Sequence, residues 1–83
     1  MRDIPNEEVA EVLVEIPEGH RHVRTKIILK DGTSFIFREA TVANITRAFL
    51  TIKTHPQKRS VKLVGRKLQD PKPGYAEWQL IEE

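Results

Sequence analysis

Residues 23–38 read VRTKIILKDGTSFIFR, two runs of alternating apolar and polar residues on either side of a short Asp-Gly turn. Alternation with a period of two is typical of a β-strand that buries one of its faces. An Asp-Gly pair between two such runs indicates a β-hairpin. The stretch therefore predicts two antiparallel strands that meet at Asp31 and Gly32.

Two registers of this hairpin are possible, and they place the phenylalanines on different faces. A two-residue turn on Asp31 and Gly32 would pair Ile28 with Phe35 and would put both hairpin phenylalanines among the lysines. A type I turn followed by Gly32 as a left-handed bulge residue would pair Ile27 with Phe35 instead. Because a slip of one residue moves a whole strand to the other face, we predict the second register, which keeps the phenylalanines on the apolar face.

The flanking segments supply the remaining elements. Residues 9–16 alternate as a first strand that ends at Pro17. After the hairpin, apolar residues recur at helical spacing, with Thr41 as the expected N-cap and an end near Thr54 or His55, just before Pro56. Two shorter runs, around residues 61–64 and 76–80, predict a fourth and a fifth strand. The apolar stripe of the helix consists of Val42, Ile45, Ala48, Phe49 and Ile52.

The predicted fold class is α+β, mostly β, with five antiparallel strands and one helix in the order β-β-β-α-β-β. This order is typical of a small OB-like barrel, and the alternative is an open antiparallel sheet with the helix packed on one face. We expect residues 1–8 to be a loosely ordered lead-in and residues 9–83 to form one domain. Trp78, the only tryptophan, and Phe49 are the expected core anchors.

The composition restricts the class of protein. A chain of 83 residues without cysteine has no disulfide and no thiolate chemistry. No apolar run approaches the length of a membrane helix, and the acidic N-terminal residues do not resemble a signal peptide. We therefore expect a small cytoplasmic protein that has no membrane partner.

Charge is distributed unevenly along the chain. The net charge of +2 combines an acidic segment 1–19, a strongly basic segment 20–67 and an acidic segment 68–83. A basic segment that folds into one surface attracts polyanions. Acidic terminal strands could instead lie beside the basic strands and neutralise them, with Glu11 and Glu15 pairing with Arg24 and Lys26. Both interpretations are compatible with the sequence.

The first functional hypothesis is a small module that binds single-stranded nucleic acid through the basic outer face of the second and third strands. OB-like domains use this part of their surface and the adjoining loops. Because the face offers isoleucines and no aromatic side chains for stacking, we expect electrostatic binding with low sequence specificity. The predicted binding residues are Arg21, Arg24, Lys26, Lys30, Arg38, Arg66 and Lys67.

The second hypothesis is a protein-interaction or homodimerising domain. Ile28 and Ile36 are expected to lie together on the outer face, and neighbouring exposed aliphatic residues often mark a docking surface. A second protein, or a second copy of this chain, would then cover these two residues.

Catalysis is not expected. The sequence has no Gly-rich phosphate loop, no nucleophile elbow and no Ser/His/Asp arrangement. His20 and His22 lack the further well-spaced ligands that a structural zinc site needs. We therefore predict no catalytic residue, no metal and no cofactor.

Overall fold

The computed structural model describes residues 1–83, and the elements follow the predicted order β-β-β-α-β-β. The chain divides into two units, residues 1–42 and residues 43–83. The bounds of the elements are β1 Val9–Glu15, β2 Arg24–Leu29, β3 Ser34–Arg38, α1 Glu39–Thr54, β4 Leu63–Lys67 and β5 Trp78–Glu82, and a 3₁₀ turn, Asn6–Glu8, precedes β1.

The strands form two separate open antiparallel sheets. Sheet A contains β1, β2 and β3 in sequence order, and sheet B contains β4 and β5. The prediction of an OB-like barrel is therefore wrong, because a barrel requires continuous strand pairing around a closed ring. The fold class and the alternative of an open sheet are confirmed. No helix is both long enough and apolar enough to cross a membrane.

The central hairpin has the predicted register. Ile27 lies opposite Phe35, and Thr25 lies opposite Phe37. The amide of Gly32 donates to the carbonyl of Leu29 at 3.0 Å, and Gly32 has a φ of +92°. This left-handed conformation is the one that glycine adopts without strain, so the turn sets the register of β2 and β3.

A β-bulge at Ala10 changes the pattern of β1. Val9 pairs with Leu29, whereas Glu11 pairs with Ile28, so one extra residue lies in β1 between these pairs. The bulge turns Val9 to the same face as Val12, which the strict alternation of the sequence did not predict.

Sheet A consequently has one apolar face and one polar face. The apolar face consists of Val9, Val12, Val14, Thr25, Ile27, Leu29, Phe35 and Phe37. The rings of Phe35 and Phe37 stack with their centroids 6.3 Å apart. Leu29 is the only residue of the chain that is buried, and 2% of it is exposed.

Helix α1 begins earlier than predicted. It starts at Glu39, so the prediction of Thr41 as N-cap is wrong, and Thr41 lies in the first turn. A carboxylate at this end suits the positive end of the helix dipole. The helix ends at Thr54, as expected from Pro56. Phe49 is exposed, which contradicts its prediction as a core anchor.

In the second unit, one side of α1 lies near the hairpin of sheet B. Side chains from both elements line a hollow of about 180 Å³, and these include Ala48 and Thr51 from the helix and Leu63 and Leu80 from the strands. The predicted apolar stripe of the helix is not buried by this arrangement, because Ile45 remains exposed.

Asp31 stabilises the turn of the central hairpin. The backbone amide of Thr33 donates to Asp31 Oδ1 at 2.9 Å, and Arg2 donates to Asp31 Oδ2 at 3.1 Å. The hydrogen bonds from Thr33, followed by the one from Arg2, lower the pKa of Asp31 from 3.8 to about 2.

This pKa predicts how the stability of the turn depends on pH. The carboxylate of Asp31 stabilises the folded chain above its ordinary pKa of 3.8, and this stabilisation is lost as the pH falls toward about 2. We expect Asp31→Asn to flatten the stability curve in that window when unfolding by urea is followed by circular dichroism. Parallel curves for the variant and the wild type would contradict this role of Asp31.

Candidate nucleic-acid interface

The polar face of sheet A carries the candidate site and is called the basic face below. Strand pairing places Arg24 opposite Arg38 and Lys26 opposite Ile36. On the other side of β2, Glu15 lies opposite Arg24, and Leu13 lies opposite Lys26. The basic face consists of Glu11, Leu13, Glu15, Arg24, Lys26, Ile28, Ser34, Ile36 and Arg38.

The cations of this face lack the ion pairs that other basic residues of the chain make. Arg24, Lys26 and Arg38 form no salt bridge, and neither does Lys30 just beyond β2. Arg24 and Arg38 also lie directly opposite each other, and like charges in this position destabilise a sheet. An anion bound between the two arginines would relieve this repulsion.

The carboxylates of β1 do not neutralise the face through ion pairs. Glu15 lies opposite Arg24 in the strand register, but the two side chains form no salt bridge. Glu11 lies opposite Ile28 and not opposite a cation. The pairing of Glu11 and Glu15 with Arg24 and Lys26, which the sequence left open, is therefore not observed.

Glu39 anchors the start of β2, where the basic face begins. The backbone amide of Val23 donates to Glu39 Oε1 at 3.2 Å, and His22 bonds to Glu39 Oε2 through Nδ1 at 2.9 Å. These two hydrogen bonds, together with the nearby charges of His22 and Arg24, lower the pKa of Glu39. The carboxylate thus fixes the backbone next to Arg24 and leaves the guanidinium without an ion pair.

A hollow of about 310 Å³ opens on the basic face. Leu13 and Ile36 contribute apolar side chains to it, and Arg24 and Lys26 contribute two cations. Glu15, Pro17 and His20 complete its lining. Its volume is at the lower end of the range for small-molecule sites. The arrangement can hold an anionic group against the cations and a flat group against the aliphatic side chains.

Leu13 is part of this surface although the site prediction did not include it. It is 40% exposed and lies opposite Lys26. The alternation of β1 contained the necessary information, because Leu13 shares a side with Glu11 and Glu15.

The two isoleucines of the second hypothesis both belong to the basic face. Ile36 is 66% exposed and lies opposite Lys26, whereas Ile28 is half-buried and lies opposite Ser34. Of these two isoleucines, only Ile36 is strongly exposed, and Lys26 lies opposite it.

Three predicted binding residues lie outside the basic face: Arg21, Arg66 and Lys67. Arg21 is exposed in the loop between β1 and β2. Arg66 and Lys67 belong to β4, in the second unit. Arg66 hydrogen-bonds to Glu83, so its charge is already paired. A second ion pair joins Lys58 Nζ to Glu82 Oε1 at 2.6 Å. In the second unit, the acidic C-terminus thus neutralises part of the basic sequence.

Trp78 is not the predicted core anchor. It is 63% exposed and lies opposite Lys67 in the pairing of β4 with β5. Tyr75, in the loop before β5, is exposed as well. The second unit holds eight basic and four acidic residues. An exposed indole next to a lysine in a basic unit is suited to stack on a nucleobase.

Comparison with known proteins places this chain in no family. No protein-family model matches it, and no curated protein or solved structure is significantly similar to it.

Proposed function

We propose that this protein is a non-enzymatic module that binds single-stranded nucleic acid, with the basic face of sheet A as its principal contact. The observation that carries the proposal is the unpaired group of cations on one sheet face. Arg24 faces Arg38, Lys26 lies next to them, and no carboxylate forms a salt bridge with any of the three.

The chemistry of the basic face favours phosphate as the recognised group. Guanidinium groups bind phosphate oxygens through two parallel hydrogen bonds. The spacing of successive side chains along one face of β2, about 6.6 Å between Arg24 and Lys26, is close to the spacing of adjacent phosphates in an extended single strand. Leu13 and Ile36 offer an apolar surface to the bases.

The first unit as a whole is not basic, and this limits the range of the attraction. It holds six basic and eight acidic residues, so its cations act locally and not through a net positive charge. Binding through this face depends on close contact with phosphates and is sensitive to salt. Apart from the cations, only the hydroxyl of Ser34 and the ring of His20 can donate hydrogen bonds to base edges here, so we expect low sequence specificity.

The exposed Trp78 supports single strands over duplexes as the ligand. Stacking requires a base that is free of its own stack, as in a single strand, and each base stacked on an aromatic side chain contributes about 1–3 kcal/mol. Trp78 with Lys67 provides such a platform in the second unit.

A salt titration tests the proposal. With the four cations Arg24, Lys26, Lys30 and Arg38 on phosphates, the affinity for a labelled oligo-dT should fall about 50-fold between roughly 50 and 200 mM salt, a logarithmic slope of about −3. Fluorescence anisotropy of the oligonucleotide measures the affinity. The fluorescence of Trp78, the only tryptophan, should be quenched on binding.

The same titration with a duplex of equal length is the control. Weaker binding to the duplex than to the single strand, with no change in Trp78 fluorescence, agrees with the proposal. Absence of binding to the single strand at the lowest salt concentration would refute it.

A further inference from the structure

Glu15 is the only carboxylate that lines the hollow of the basic face. It lies opposite Arg24 in the pairing of β1 with β2, and both Arg24 and Lys26 line the same hollow. Glu15 nevertheless forms no salt bridge with either cation. A negative charge in this place repels phosphate, so contacts to phosphate alone leave the presence of Glu15 unexplained.

Leu13 and Glu15 are neighbours on one side of β1. Residues two apart in a strand point to the same face and lie about 6.8 Å apart along the strand. The pairing with β2 is regular from Glu11 to Glu15, so the bulge does not disturb this alternation. Beyond Glu15, the turn from Pro17 to His20 borders the hollow, and the amide of His20 donates to the carbonyl of Pro17 at 2.9 Å. A base that lies flat on Leu13 can therefore present its edge to the carboxylate of Glu15.

The chemistry of a carboxylate distinguishes among the bases. A carboxylate accepts hydrogen bonds through two oxygens and donates none. The Watson–Crick edge of guanine offers two parallel donors, N1–H and the N2 amino group, which match the two oxygens of one carboxylate. Thymine and uracil offer one N–H between two carbonyl groups, and both carbonyls repel a negative charge. In a single strand this edge of the base is free to be recognised.

We infer that Glu15 is a specificity-determining residue, which selects guanine over thymine or uracil at one position of the bound single strand. This inference rests on the proposed function of the basic face. The purine ring lies on Leu13, its edge donates two hydrogen bonds to Glu15, and Arg24 and Lys26 contact the adjoining phosphates. The rest of the strand is held through its phosphates, so the preference is confined to one position and the specificity of the whole face stays low.

Three single-stranded oligonucleotides of equal length test the preference of the wild type. They are oligo-dT, an alternating sequence of dT and dG, and an alternating sequence of dT and deoxyinosine. The sequence with guanine should bind about fivefold more tightly than oligo-dT, the lower end of the range for a bidentate contact to one base. Deoxyinosine keeps N1–H but lacks the N2 amino group, so it should lose most of this gain. Fluorescence anisotropy in low salt measures the three affinities.

Glu15→Gln and Glu11→Gln provide a matched pair of variants. Both remove one negative charge from the basic face, but Glu11 lies opposite Ile28 and does not line the hollow. Each variant should bind oligo-dT about twofold more tightly, because a charge that repels phosphate is removed. Only Glu15→Gln should lose the preference for guanine, since a carboxamide has one acceptor oxygen where the carboxylate has two.

The outcomes separate this inference from the proposed function. Equal affinities of the wild type for the three oligonucleotides would overturn the inference, and binding to oligo-dT would still support the proposed function. A preference for guanine that survives in Glu15→Gln, or that is lost equally in Glu11→Gln, would also overturn the inference. Absence of binding to all three oligonucleotides would refute the proposed function, and the inference would fail with it.

Discussion

Leu29→Ala is expected to lower the free energy of unfolding by about 2–5 kcal/mol, the largest effect of any single truncation in this chain. Leu29 is 2% exposed and lies opposite Val9 in the pairing of β1 with β2. Its amide and carbonyl also close the hairpin turn, with the amide donating to Thr33 at 2.8 Å. Truncation removes the contacts of the only buried side chain and leaves a cavity beside the turn.

The expected loss of unfolding free energy is large compared with the total stability of the chain. A domain of this size has about 4–12 kcal/mol of stability, so Leu29→Ala should shift the urea midpoint strongly or leave the chain unfolded at room temperature. Lys30→Ala is the matched control, since Lys30 is the next residue in the chain and is exposed. A loss below about 1 kcal/mol for Leu29→Ala would contradict the assignment of this leucine as the centre of the core.

The central hairpin was predictable because its determinants are local. Gly32 can adopt positive φ without strain. The alternation on both sides of the turn favours the register that keeps Phe35 and Phe37 on the apolar face, and this register pairs Phe35 with Ile27. The bulge at Ala10 was not predictable from alternation. One extra residue in a strand changes the pairing with β2, and the sequence of β1 alone contains no glycine or proline to mark it.

The burial of side chains was predicted less well than the strands that carry them. Alternation shows which residues share a face, but it does not show whether another element covers that face. Phe49 was assigned to the core from its place in the apolar stripe of the helix, and Trp78 from the alternation of the last strand, yet both are exposed. Barrel closure failed as a prediction for a related reason, since it depends on pairing between strands that are distant in the sequence.

The composition of the candidate site was predicted only in part, and its electrostatics were not predicted. The register alone places Arg24, Lys26 and Arg38 on one face, and the structure agrees. Whether carboxylates neutralise these cations depends on distances between side chains of different strands. Those distances leave the three residues without salt bridges, whereas Arg66 in β4 is paired with Glu83.

The double substitution Arg24→Glu with Lys26→Glu is expected to weaken binding to single-stranded oligonucleotides by about 100-fold in low salt. Each substitution removes one phosphate contact and places a negative charge next to the phosphate backbone. The logarithmic salt slope should become less steep by about 1.4, because each lost phosphate contact contributes about 0.7 for a single strand. Anisotropy titrations of one oligonucleotide at several salt concentrations measure both quantities.

A change in total charge could by itself weaken binding, and Arg59→Glu with Lys62→Glu controls for it. This variant has the same total charge, and both of its sites are exposed in the segment between α1 and β4. If the basic face makes the contacts, the control should keep most of the affinity and the original salt slope. Equal losses in both variants would mean that the attraction is a property of the whole chain. The cations of sheet A would then have no special role, because a diffuse attraction depends on the sum of the charges and not on their position on a strand.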